Sequence, residues 1–286
     1  MPYVLASDEV PLYYTSCGQG PVVVLIHGFS MNGGLFRHNV PELAQGHRVI
    51  TMDLRGHGHS GKQEHNWTLP QAARDVRALL EQLDLHDVML AGWSMGATVI
   101  FNYLQQFGDD RLRGLGIIDM TPYLLTEPGW EYAAFHNTLS PDAALGTVRD
   151  LWADRLTLLT DFISACFAEG TDPDPDTVDQ WLRESMLPPA GAAAAFWTSM
   201  VCQDWRPLLS RIDLPVLLCY GARSRIYAPE LGPYLHQQLA DSTLVTFDDS
   251  GHSPCWEEPE KFNAELGRFV DAMAAADVRH ARPGAG

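Results

Sequence analysis

Five residues, Gly92-Trp93-Ser94-Met95-Gly96, combine a hydroxyl with two glycines spaced to permit a tight backbone turn. A serine hydroxyl is a weak nucleophile until a neighbouring base takes its proton, after which it attacks carbonyl carbon. The flanks suit that chemistry. Asp87-Val88-Met89-Leu90-Ala91 is short and apolar like a buried parallel strand, and Ala97 to Phe107 has helical spacing and stops at Gly108. Strand, turn and helix in this order read as a nucleophile elbow: the serine takes a strained conformation, and the flanking glycines remove Cβ atoms where strand and helix approach. A turn that merely contains a serine has the same five letters, so the reading depends on the rest of the chain.

Three other segments stand in a telling order. Pro21-Val22-Val23-Val24-Leu25-Ile26 is a buried strand ending in His27-Gly28-Phe29. Arg48 to Asp53 is a strand with a glycine-rich exit, Gly56-His57-Gly58-His59-Ser60. Ser250-Gly251-His252-Ser253-Pro254 sets a histidine on a loop between the strand Thr243 to Phe247 and a C-terminal helix. With the elbow, these segments resemble the α/β-hydrolase family from about Pro21 to Met273, while about Thr121 to Leu209 carries no motif of that family. The resemblance implies Ser94 as nucleophile and His252 as the general base that takes its proton and later donates it to the leaving group. It further implies an oxyanion hole made by the backbone amides of Met95 and Phe29, whose side chains need not be special.

The acid of the triad departs from the usual pattern. It normally lies about three residues past the glycine of the strand Pro215-Val216-Leu217-Leu218-Cys219-Tyr220-Gly221, and that position holds Ser224, between Arg223 and Arg225. A minority of the superfamily takes the acid from the end of the preceding strand. Here that strand is Gly114 to Ile118, followed directly by Asp119. Asp119 is therefore the expected acid, with Glu230, Asp248, Asp249 or no acid at all as the alternatives; Asp248 and Asp249 precede His252 too closely to reach the far side of its ring. The same Asp119 could instead cap a turn.

Other motifs weigh less. His57 and His59 have the spacing of a metal pair, but a zinc site needs a third protein ligand that nothing nearby supplies, so no metal site is expected. Gly56-His57-Gly58-His59-Ser60-Gly61 satisfies a dinucleotide fingerprint, yet Lys62 to Trp67 is polar and the next helix starts near Thr68, whose Thr68-Leu69-Pro70-Gln71 reads as a capping box. No cofactor is expected. His27 reads as structural, at a strand end where the family uses the backbone turn.

Positioning these residues requires an alternation of strands (near 21–27, 48–53, 87–91, 114–119, 215–220 and 243–247) and helices (near 35–45, 69–84, 97–107, 229–240 and 258–274). That predicts an α/β fold with a doubly wound, mostly parallel sheet, plus an antiparallel edge hairpin within 3–14. Phe262, Leu266, Phe269, Val270 and Met273 form the buried stripe of the last helix. Between Asp119 and Pro215 the strands stop. So long a segment implies an inserted helical lid over 121–209, with helices near 128–137, 141–154, 156–168, 176–186 and 190–202. Residues 1–120 and 210–279 make the core, and 280–286 read as a disordered tail.

With 286 residues, 46% of them hydrophobic, the chain can bury one large core. The formal charge of −17 repels phosphate backbones and anionic membranes, which argues against nucleic acid and membrane partners and for a neutral small-molecule substrate. Homo-oligomerisation stays open. Five scattered cysteines, no apolar run of membrane length and no signal-like N-terminus suggest the cytoplasm.

The expected function is a serine hydrolase cleaving a neutral, fairly apolar carboxylic ester, thioester or lactone through an acyl-enzyme on Ser94. An acyltransferase, a cofactor-free haloperoxidase or a carbon–carbon bond hydrolase would keep the same elbow. A ligand-binding protein that retained the fold and lost turnover is the alternative of another class, motivated by Ser224.

Overall fold

A computed structural model describes residues 2–280. The tail assigned to 280–286 lies, apart from His280, outside these residues. Eight strands form one sheet: β1 (Tyr3–Leu5), β2 (Pro11–Cys17), β3 (Val22–Ile26), β4 (Arg48–Met52), β5 (Val88–Trp93), β6 (Leu112–Ile118), β7 (Val216–Gly221) and β8 (Ser242–Phe247). Their order is β1-β2-β4-β3-β5-β6-β7-β8, with β1, β2 and β4 paired antiparallel and every pair from β4 to β8 parallel. The predicted edge hairpin is present, Tyr3 facing Tyr13.

The helices are α1 (Val40–Leu43), α2 (Leu69–Gln82), α3 (Met95–Phe107), α4 (Ala134–Asn137), α5 (Pro141–Ala153), α6 (Arg155–Ala165), α7 (Pro175–Ser185), α8 (Ala190–Val201), α9 (Arg206–Leu209), α10 (Leu231–Gln238), α11 (Pro254–Glu257) and α12 (Pro259–His280). The continuous apolar strands are buried on both faces, as parallel strands under helices must be. Val24 and Ile26 pack with α2 and α3 on one side, whereas Val23 and Leu25 pack with Phe262, Leu266 and Val270 of α12 on the other. Alternate residues of one strand thus feed two cores.

Local chemistry explains most boundaries. Thr68 Oγ1 accepts the Gln71 amide at 3.3 Å, but the Gln71 side chain turns to Asp75 instead of returning to Thr68, so only half of the predicted capping box forms. The expected helix over 35–45 is broken into a 3₁₀ turn, Gly33–His38, and α1. Asn39 separates them, because its amide side chain is recruited to the Cys255 carbonyl and to Asn263, and Pro41 follows with no N–H to extend the first turn.

The insertion between β6 and β7 is helical, with α4 to α9 and no strand of the main sheet. Ser140, Asp154 and Asp174 cap α5, α6 and α7 through their side chains. The helix expected over 128–137 is reduced to the four-residue α4. Gly129 takes φ +83°, Glu127 and Trp130 form an isolated bridge, and Phe135, His136 and Asn137 run in left-handed conformation. Long-range bonds drive this: the Trp130 indole donates to the Tyr123 carbonyl, and the His136 amide donates to the carbonyl of Ile226. Among the described residues no helix is long and apolar enough to cross a membrane.

Candidate active site

Ser94 sits between the end of β5 and the start of α3 at φ 52°, ψ −122°, a conformation that non-glycine residues avoid and that tight functional turns store as strain. Its amide donates to the Ile118 carbonyl at the end of β6, and its carbonyl accepts from Ala97. A Cβ at Gly92 would fall 2.3 Å from the carbonyl carbon of Gly96, and one at Gly96 would fall 2.2 Å from the carbonyl oxygen of Ile26. Strand β3, strand β5 and helix α3 therefore meet at two positions that admit only glycine.

Asp119 follows β6 directly, also at positive φ (45°), with its amide bonded to the Cys219 carbonyl of β7. Its Oδ2 lies 2.6 Å from His252 Nδ1, and both side chains are 1% exposed. A carboxylate oxygen accepts, so Nδ1 carries the hydrogen and Nε2 is left with a lone pair. Nε2 is buried and has no hydrogen-bond partner among the described residues. Ser94 and His252 line the same small chamber, of about 20 Å³, without a hydrogen bond between them in this resting geometry.

His252 is held from several sides. The Trp93 indole donates to its carbonyl at 2.6 Å, and the rings of Trp93 and Tyr227 flank the imidazole with centroids at 5.2 and 5.6 Å. Glu257 accepts the amides of Gly251 and Ser253 on either side of it, and that of Ala168 from the insertion. Burial pushes the Glu257 carboxyl up to about 6. Ser224, at the position where the acid was first sought, donates to Asp119 Oδ2 at 3.0 Å.

The alternative acids go elsewhere. Glu230 precedes α10, Asp248 pairs with Lys261, and Asp249 pairs with Arg223. His57 and His59 do not converge either. His57 Nδ1 donates to the Arg55 carbonyl, while His59 is exposed beside Asp53, and the described residues contain no group of three or more His, Cys, Asp or Glu that could hold a metal. Gly56 and Gly61 close a loop on each other through a backbone bond, with no helix at its exit. His27 bonds the Gly28 carbonyl through Nδ1 and accepts the Leu54 amide at Nε2, tying the ends of β3 and β4 together.

Met95 is the first residue of α3, where amides have no partner within the helix, and its side chain is buried in the core. Phe29 has more than an amide to offer. Its ring meets Phe162 and Trp197 edge-on at 6.0 and 5.9 Å and walls the chamber. Phe29, Phe135, Phe162 and Trp197 divide that chamber from a second, apolar cavity of about 180 Å³. Sequence reasoning missed Trp93 and Tyr227. Trp93 could have been suspected from its place inside the elbow, whereas Tyr227 reaches the site only through a loop.

A sequence model of the alpha/beta hydrolase fold matches residues 21–259, and the chain belongs to that family. It is a hydrolase of the carboxylic-ester type. A pimeloyl-[acyl-carrier protein] methyl ester esterase from Aeromonas hydrophila is 29% identical, over 88% of this chain and 96% of that one. Among solved structures, an esterase from Exiguobacterium antarcticum superposes with a TM-score of 0.87 at 25% identity, covering 94% of this chain and 98% of that one. A bromoperoxidase from Bacillus anthracis superposes with a TM-score of 0.83 at 27% identity, covering 94% and 99%.

Proposed function

We propose that the protein hydrolyses a neutral, fairly apolar carboxylic ester, thioester or lactone through an acyl-enzyme on Ser94. The observation that carries this reading is the 2.6 Å contact of Asp119 with His252 Nδ1 at the chamber that also holds Ser94. Asp119 keeps the imidazole in the tautomer whose Nε2 accepts the Ser94 proton as Oγ attacks the carbonyl carbon. The amides of Met95 and Phe29 stabilise the oxyanion. His252 then protonates the leaving group, and a water deprotonated by the same nitrogen releases the acid.

Residues 121–209 act as a lid over a core of 1–120 and 210–279. Phe29, Phe135, Phe162 and Trp197 give the substrate an apolar seat that excludes water from the acyl-enzyme. A mostly apolar lining, to which Asp161 adds a carboxylate, and a net charge of −17 both favour a neutral ligand over a polyanion. The reading places the protein in the cytoplasm, with no metal or organic cofactor required.

Turnover of p-nitrophenyl esters of increasing acyl length tests it, with Ser94→Ala as background. Ser94-dependent turnover with an optimum in length is expected, and Asp119→Asn should lower kcat by about 10⁴ with the fold intact. Rates no higher than those of Ser94→Ala across the series would overturn the acyl-enzyme reading.

A further inference from the structure

Ser224 occupies the loop after β7, where a carboxylate would ordinarily face the catalytic imidazole, and it is buried, 4% exposed. A hydroxyl has one proton to donate and two lone pairs that accept. The Ser224 oxygen accepts the amides of Ile226 at 3.3 Å and Tyr227 at 3.2 Å, which engages both lone pairs. Its single proton is therefore left for Asp119 Oδ2, 3.0 Å away.

The other carboxylate oxygen, Asp119 Oδ1, is buried and has no donor among the described residues. All side-chain hydrogen bonding to this carboxylate thus converges on Oδ2, from His252 and from Ser224. The loop that carries Ser224 is itself clamped: Ala222 and Arg223 donate their amides to the carbonyls of Phe247 and Ser250, and His136 of the insertion bonds the Ser224 carbonyl at 2.8 Å through Nε2.

We propose that Ser224 is a positioning residue for ester hydrolysis, its hydroxyl forced by two backbone donors to point its proton at Asp119 and so to hold that carboxylate against His252 Nδ1. The inference rests on the Ser94–His252–Asp119 reading of the site. It recasts a position that looks like a lost acid as a support for an acid moved one strand along the sheet.

The test is a double-mutant cycle on p-nitrophenyl ester hydrolysis with Ser224→Ala, Asp119→Asn and the pair. Ser224→Ala should lower kcat about tenfold with KM within about twofold, the loss of one hydrogen bond to a charged group. Ser224→Thr, which keeps the hydroxyl, should restore most of the rate. In the Asp119→Asn background Ser224→Ala should cost nothing further, because Ser224 acts through the group already removed.

A Ser224→Ala effect of equal size in both backgrounds would assign Ser224 to the loop fold alone and overturn the proposal, as would a Ser224→Ala protein with full kcat. Should Ser224→Ala fail to fold, Ser224→Cys, with its weaker donor, carries the same cycle. Failure of the underlying reading looks different: Asp119→Asn alone would then retain full kcat.

Discussion

Gly96 shows how little space the turn at Ser94 leaves. A methyl group there would press on the carbonyl oxygens of Ile26 at 2.2 Å and His27 at 2.9 Å, both backbone atoms that no rotamer change can move aside. Gly96→Ala should therefore part β3 from α3, at a cost of about 3 kcal/mol and roughly 5 °C in Tm. Calorimetry reads the melting temperature, and ester turnover reads the displaced Ser94; an alanine variant with unchanged melting and unchanged rate would refute the steric account. Trp93, one residue before the nucleophile, secures the other partner by bonding the His252 carbonyl. Ser94 and His252 are thus braced by the same five-residue segment.

The insertion supplies Leu124, Phe135, Phe162, Trp197 and Met200 to the wall of the chamber at Ser94. Trp197 of α8 is 4% exposed, and its indole donates to the Ala144 carbonyl of α5, so the ring both ties two helices together and forms a wall shared by the chamber and the apolar cavity. Trp197→Ala should join and enlarge the two spaces. The preferred acyl chain should lengthen while the smallest ester is still turned over, and stability should fall by about 3 kcal/mol. A chain-length profile superimposable on the native one would remove Trp197 from the specificity wall. The left-handed run Phe135–Asn137 has a matching role at the opposite side, since it turns Phe135 toward the site and sends His136 to the Ser224 loop.

Over the whole molecule, two histidines make folding sensitive to acid. His27 and His57 are fully buried with ring centroids 5.1 Å apart, and burial pushes them down to about 4 and about 3. A histidine depressed in the folded state contributes stability that is complete above its unfolded value near 6.5 and is lost as pH falls toward the folded value. For His27 the loss by pH 4 is about 3 kcal/mol. His57→Phe should therefore flatten the fall of Tm between pH 6.5 and 4, and parallel Tm curves for variant and native protein would count against it. Glu257 runs the other way. Its carboxyl is raised to about 6 by burial, so the folded state favours the proton, and its contribution to stability declines as pH rises from about 4.5 through 6. Carboxyl carbon NMR should find one glutamate titrating near 6, and a set confined to ordinary values would contradict this.

Periodicity and turn chemistry are local, and what depends on them was legible: the buried strands, the helix after Ser94 that stops at Gly108, the glycine-flanked elbow and the strandless stretch before Pro215. Other features required partners distant in sequence. Phe135 to Asn137 abandon a helical pattern because the loop near Ile226 takes the His136 amide, and Asn39 breaks a helix to reach α11 and α12. The carboxylate beside His252 belongs with these. Spacing set Asp248 and Asp249 aside as too close to His252, and the end of β6 suggested Asp119, but nothing local fixes the distance of Asp119 or Glu230 to a ring at 252. Strands β6 and β7 are neighbours, so their C-terminal loops bring Asp119 and Ser224 together under one imidazole, and only the pairing of strands could decide that.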